Sequence, residues 1–174
     1  MDSDLATATG PRPPRVVIDT AVVVSALVFG GSQSARLRRA WRLGYCRPLL
    51  GRPTLLDLTR SLARPEFGFT PHEQQQMLGE YLPHALKVRV PVEDARDDTS
   101  PAMLPFVQLA LVGRAHVLVT ADALMLTARP TSLPFRVMAL EPFLLMLRDT
   151  GISPQPLRAP PAARAPAAPA TAAR

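Results

Sequence analysis

The sequence predicts an α/β fold in which a parallel sheet is covered by helices on both faces. Short apolar, β-branched runs alternate with longer segments of helical periodicity, the order that produces parallel strands joined by crossover helices. Most of those runs are continuously apolar, as strands buried on both faces must be. With 47% hydrophobic residues, the 174-residue chain can build one sizeable core.

The organisation follows from composition. Residues 1–14 (MDSDLATATGPRPP) lack hydrophobic periodicity, and the Pro/Ala-rich stretch 151–174 cannot bury enough surface to offset its ordering entropy, so both are expected to be disordered. The folding unit is then 15–150. Val16–Ile18 reads as a buried strand ending at Asp19. "FGGSQS" supplies turn residues, with Ser32 or Ser34 as a helix cap. In "ARLRRAWRLG", Leu37, Ala40 and Trp41 share one face of a helix that ends at Gly44. "YCRPLL" is a short strand. "PTLLDLTRSLARP" aligns Leu55, Leu58 and Leu62 on a helix that stops before Pro65. "TPHE" at 70–73 is a capping box with Pro71 in the first turn. It predicts a helix to about Tyr81, interrupted by Pro83. "KVRVPV" alternates as a strand, "PFVQLALVG" is helical, and "AHVLVTAD" and "FRVMAL" are strands. "EPFLLMLRD" closes the unit as a helix.

Several function classes drop out. No segment approaches the roughly 18 uncharged apolar residues of a membrane span. The amino terminus, with Asp2 and Asp4, lacks a signal-peptide pattern, so a cytoplasmic protein is expected. Cys46 stands alone, which excludes a disulfide framework or a cysteine-based metal site. No dinucleotide or phosphate-loop glycine pattern occurs. His72, His84 and His116 share no metal-ligand spacing. Trp41 and Cys46 are expected in the core. Ser25 lacks the setting of a hydrolase nucleophile.

The charge is informative. The formal net charge is +6, and residues 15–150 hold sixteen basic and twelve acidic side chains. Arg36, Arg38, Arg39 and Arg42 fall on one predicted helix, with Arg47, Arg52 and Arg60 beyond it, whereas Glu93, Asp94, Asp97 and Asp98 cluster. A basic patch beside an acidic centre suits a polyanion guided to a metal-dependent site. Solvated helix faces are the plainer account of the same residues. Ligands of parallel sheets bind beyond the carboxyl ends of the strands, where Asp19 and Asp122 fall. Together with Asp57, these are candidate ligands for a hard cation, Mg²⁺ or Mn²⁺, able to activate water for phosphodiester cleavage. Helix capping is the alternative use of an aspartate at such a place.

Four segments in order resemble the PIN-domain proteins, within them the bacterial toxin components of toxin–antitoxin systems. "VVIDTAVVVSALVFGG" resembles that group's opening strand and turn, V-hydrophobic-D-T-N-V-hydrophobic-hydrophobic-S-A. "LLDLTRSLARPEF" is similar to its acidic residue followed by Leu and R-x-L-x-R-P-x-F. "FVQLALVGRAHVLVTAD" resembles the segment ending in T-G-D, and "MALEPFLLML" the closing strand and helix. The resemblance spans about residues 15–147. It implies a three-layer α/β/α sandwich with a parallel central sheet and an acidic cluster holding Mg²⁺ or Mn²⁺. The implied activity is metal-dependent endoribonuclease cleavage. RNA is the implied substrate and an antitoxin protein the implied partner; a second copy of the chain is a further candidate partner.

Carried over position by position, Asp19 matches the first family Asp, Asp57 stands where Glu is usual, and Asp122 matches the Asp of T-G-D. Thr20, Ser25 and Thr120 match hydroxyl positions that orient the acids. The Arg36–Arg42 helix would guide the RNA backbone. The chain departs from the pattern at Ala21 (usually Asn), Ala121 (usually Gly) and Leu104 (usually Asp). Asp97 and Asp98, six or seven residues before Leu104, substitute for the missing acid if their loop folds inward; otherwise they are a solvated acidic loop. The competing reading is a degenerate module that binds RNA or an antitoxin without cutting. Phosphoryl transfer through an aspartyl-phosphate at Asp19 would need a second acid at the position of Ala21.

Overall fold

The computed structural model describes residues 12–91, 103–128 and 133–151. The expected disordered segments at either end fall almost wholly outside them, as do Asp97 and Asp98. Five strands, β1 (Arg15–Ile18), β2 (Arg47–Leu50), β3 (Leu86–Lys87), β4 (Val117–Val119) and β5 (Arg136–Met138), form one sheet in the order β3-β2-β1-β4-β5. Every pairing is parallel.

The helices among the described residues are α1 (Thr20–Val28), α2 (Ser32–Leu43), α3 (Arg52–Leu62), α4 (Pro71–Tyr81), α5 (Leu104–Val112), α6 (Ala123–Ala128) and α7 (Leu140–Asp149). The period-2 side-chain alternation of the strands divides the core into two. Val16, Ile18, Leu50, Val117 and Val119 face a cluster completed by α1, α2, α3 and α7. Val17, Leu49 and Leu118 face a second cluster completed by Phe106, Leu109 and Ala110 of α5. This is the α/β/α sandwich.

The local signals act as expected at most boundaries. Glu73 N–H donates to the Thr70 hydroxyl at 3.3 Å, and the Glu73 carboxylate accepts from Thr70 N–H at 2.7 Å. Accepting from the Thr70 N–H, and from the Thr70 hydroxyl at 2.8 Å, holds the Glu73 carboxyl below its usual range. Gly44 ends α2 at φ 77°, the left-handed region glycine tolerates. Pro83 sits in a 3-10 turn that replaces the next helical turn. Trp41 and Cys46 are buried, and burial pushes the Cys46 thiol up to about 12.

Three expectations need correction. Neither Ser32 nor Ser34 caps α2: Gly31 is the cap residue, Ser32 is already helical, and the buried Ser34 hydroxyl donates to the Ser25 carbonyl at 3.4 Å. The strand expected over "KVRVPV" shrinks to Leu86–Lys87. Val88 N–H still donates to Leu50 O at 2.9 Å, but β2 ends at Leu50, so the edge strand has nothing further to pair with. Finally, α1 and α6 are helices where no helix was expected.

Gly113 marks where α5 meets the sheet. A Cβ there would lie 2.5 Å from Leu49 Cδ1 and 2.8 Å from the Leu109 carbonyl oxygen. Gly113→Ala is expected to cost about 2 kcal/mol through overpacking. A urea titration would show this as a lower midpoint with an unchanged slope.

Candidate active site

The residues that end β1 and β4 build the site. Asp19 N–H donates to Val119 O at 2.9 Å, which fixes the chain as it leaves the sheet. The Asp19 carboxylate then caps α1: Oδ1 accepts from Ala21 N–H at 3.0 Å. Its other oxygen, Oδ2, accepts the Thr120 hydroxyl proton at 2.7 Å. Asp19 is only 8% exposed, and these two bonds offset much of the cost of burying it. Thr120 is fully buried, and its Oγ1 also accepts from Asp122 N–H at 3.0 Å. One hydroxyl thus ties both aspartates to the same strand end. Asp122 Oδ1 turns toward the head of α6 and accepts from Met125 N–H at 2.9 Å.

Asp19, Asp57 and Asp122 all line one cleft of about 600 Å³ at the carboxyl edge of the sheet. One wall is α1, presenting Thr20, Ala21, Ser25 and, at its end, Phe29; another is α3, presenting Asp57 and Ser61, followed by Arg64 and Phe67. Met103, Phe106 and Ala121 complete the lining. Capping and facing the cleft are therefore not alternatives for Asp19 and Asp122; each does both. Among the described residues, however, no three His, Cys, Asp or Glu side chains converge closely enough to enclose an ion.

The donor chemistry still fits a hard divalent cation. Mg²⁺ commonly keeps several waters and is held by one or two carboxylates plus substrate phosphate, and carboxylates are what this cleft offers.

Other expected residues are placed as follows. Thr20 and Ser25 line the cleft, and Thr120 lies behind Asp19. Leu104 opens α5 without lining the cleft; its neighbours Met103 and Phe106 present apolar groups there. Arg36, Arg38, Arg39 and Arg42 do not line it. Arg36 and Arg39 border a depression of about 410 Å³ between α2 and α7, and Arg38 and Arg42 border another beside Glu80. Among the described residues, the guanidinium that lines the cleft is Arg64. No histidine lines it. His116 Nδ1 accepts from Arg15 N–H at 3.0 Å, and burial with the nearby Arg42 charge lowers the His84 pKa. Sequence reasoning missed Phe29, Ser61, Arg64 and Phe67 as cleft residues. For Ser61 the available signal was its spacing four residues after Asp57, which puts both on one face of α3; Arg64 lies past the helix end in extended backbone, where helical spacing gives no signal.

Fold and cleft together define the class: a parallel α/β/α domain with acidic side chains gathered beyond the carboxyl ends of its central strands. The family model described as PIN domain matches residues 15–124, and the chain belongs to that family. Among solved structures it is similar to VapBC2 from Rickettsia felis, bound to a DNA fragment from their promoter. Identity is 12%, the match covers 72% of this chain and 98% of that one, and the TM-score is 0.51, a likeness of fold. No curated protein matches.

Proposed function

We propose that this PIN domain is a Mg²⁺- or Mn²⁺-dependent endoribonuclease acting in the cytoplasm as the toxin of a toxin–antitoxin pair. The observation that carries the proposal is the tie between Asp19, Thr120 and Asp122 on a cleft that Asp57 also lines. Asp19 and Asp122 would hold the ion from one side and Asp57 from the other, directly or through water. A divalent ion bound there supplies activation of water and neutralisation of charge at the scissile phosphate. The chain's own work is positional. Thr120 fixes the Asp19 carboxylate by hydrogen bonding, and Arg64 offers a guanidinium to the polyanion. The toxin role and the antitoxin partner rest on the family resemblance, supported by the likeness in fold to VapBC2. Among the described residues no helix is long and apolar enough to cross a membrane.

A second reading, a module that binds RNA or an antitoxin without cutting, is favoured by specific features. Both Asp19 oxygens already accept hydrogen bonds, and Asp122 Oδ1 is turned to the Met125 amide. Met103 and Phe106 are apolar near the place of the family's further Asp.

Metal titration separates the two readings. At ten times its Kd, Mn²⁺ stabilises a binding site by about 1.4 kcal/mol, roughly 4 °C in Tm for a domain of this size. That rise is expected here, and its removal by chelator should reverse it. A flat melting temperature across millimolar Mn²⁺ would favour the non-cutting module.

A further inference from the structure

Resting on the nucleic-acid reading of the cleft, we infer that its end away from the aspartates is a stacking platform for an unpaired base, built on Phe29 and served by Arg64. The cleft is a groove between two helices that both leave the carboxyl edge of the sheet. Down α1 Ala21 and Ser25 face it, with Phe29 as the cap residue that ends the helix, and along α3 Asp57 and Ser61 face it, with Arg64 in extended backbone just past the helix end. Residues four apart share a helical face, so the two pairs run down facing walls, and the chain leaving each helix carries a different chemistry into the cleft. At the far end stand a guanidinium, Arg64, and two aromatic rings, Phe29 and Phe67.

Phe29 is 55% exposed although it is a large aromatic group. It is nonetheless fixed. Its ring meets Phe67 edge-on, with centroids 6.2 Å apart at 65°. Phe67 in turn stacks on Phe69, 5.6 Å away at 17°, and packs against the main core cluster. A held, exposed ring beside a cation is how sequence-tolerant single-strand binding is built: the base stacks and the guanidinium takes the backbone charge. Among the described residues the Arg64 guanidinium pairs with the exposed Glu66 carboxylate at 3.4 Å, a pair that a phosphate can displace. Ten residues of rise separate Asp19 from Phe29, about 15 Å along the helix. The stacked base therefore belongs to a nucleotide some way from the one at the aspartates, and the platform governs binding rather than the chemical step. Bases in a duplex already stack on each other and cannot use it.

The test measures binding in the Asp19→Asn background without divalent metal, so that cleavage plays no part. Fluorescence anisotropy with a labelled single-stranded oligouridine should show Phe29→Ala binding about tenfold more weakly, the loss of one stacked base. Phe29→Trp should restore affinity, and its new indole emission should be quenched on binding, while Trp41 lies buried in the core. Arg64→Ala should lower the salt slope by about 0.7, one single-strand phosphate contact. An oligomer of the same length with abasic sugars should bind parent and Phe29→Ala alike. Equal affinity of Phe29→Ala and its parent for oligouridine, or unchanged Phe29→Trp emission, would overturn the platform. So would duplex RNA binding that is as tight and as sensitive to Phe29. These results are independent of the nuclease reading: a chain that stacks oligouridine yet never cleaves it keeps the platform and loses the catalysis.

Discussion

Asp19→Asn should reduce metal-dependent RNA cleavage by at least about a hundredfold, since a metal site supplies several kcal/mol of transition-state stabilisation. The asparagine keeps the shape of the side chain and one oxygen to cap α1 at Ala21. It removes the charge and places an amide where Oδ2 accepted the Thr120 proton. Thr120 can rotate its hydroxyl to accept instead, so the stability change should be about 1 kcal/mol or less. Asp19→Ala differs: it removes the cap and strands a buried hydroxyl, at about 2–3 kcal/mol. Cleavage of a labelled RNA with Mn²⁺, read beside urea melts of all three chains, separates lost chemistry from lost fold. Full activity in the asparagine variant would remove Asp19, and with it this cleft, from the reaction.

The largest effect on stability is expected at Trp41. It is 1% exposed, meets Tyr81 edge-on with centroids 5.1 Å apart, and donates Nε1–H to the Glu80 carbonyl at 3.2 Å. It thereby joins α2 to the end of α4. Trp41→Ala should cost about 3–5 kcal/mol, the range for truncating a large buried aromatic. Set against a typical total of about 5–15 kcal/mol, that leaves little margin. Trp41→Phe retains the ring contact and loses the hydrogen bond, for about 1–2 kcal/mol. Denaturant midpoints that barely move in the alanine variant would mean that this helix pair contributes little to the native state.

Much of the fold was legible because its signals are local. The Thr70–Glu73 box, the left-handed Gly44 and the break at Pro83 each act within a few residues, and each lies where the sequence puts it. Helix α1 was hidden for a physical reason. "TAVVVSALV" is apolar or β-branched at every position but Ser25, with six of its nine residues buried. It therefore has no polar face to reveal a period. Packing makes it helical, with Asp19 as its cap. Helix α6 spans six residues, too few for a period to accumulate. Strand β3 failed in the opposite direction: alternation was present, but an edge strand forms only as far as its neighbour runs.

The site was legible in part. Asp19, Asp57 and Asp122 could be nominated from strand ends and family motifs, and all three line the cleft. The arginines could not be sorted the same way, because composition counts charge without direction. Four of them stand on α2 away from the cleft, whereas Arg64, just past the end of α3, stands in it.

The bond from Thr120 to Asp19 joins residues 101 positions apart, across two strands that pair side by side. During translation the aspartate leaves the ribosome long before the threonine that holds it. A nascent or truncated chain ending ahead of β4 lacks Asp122, the hydroxyl clamp and the strand that flanks β1 on that side. Whatever this cleft does, the cell meets it only once nearly the whole domain has been made.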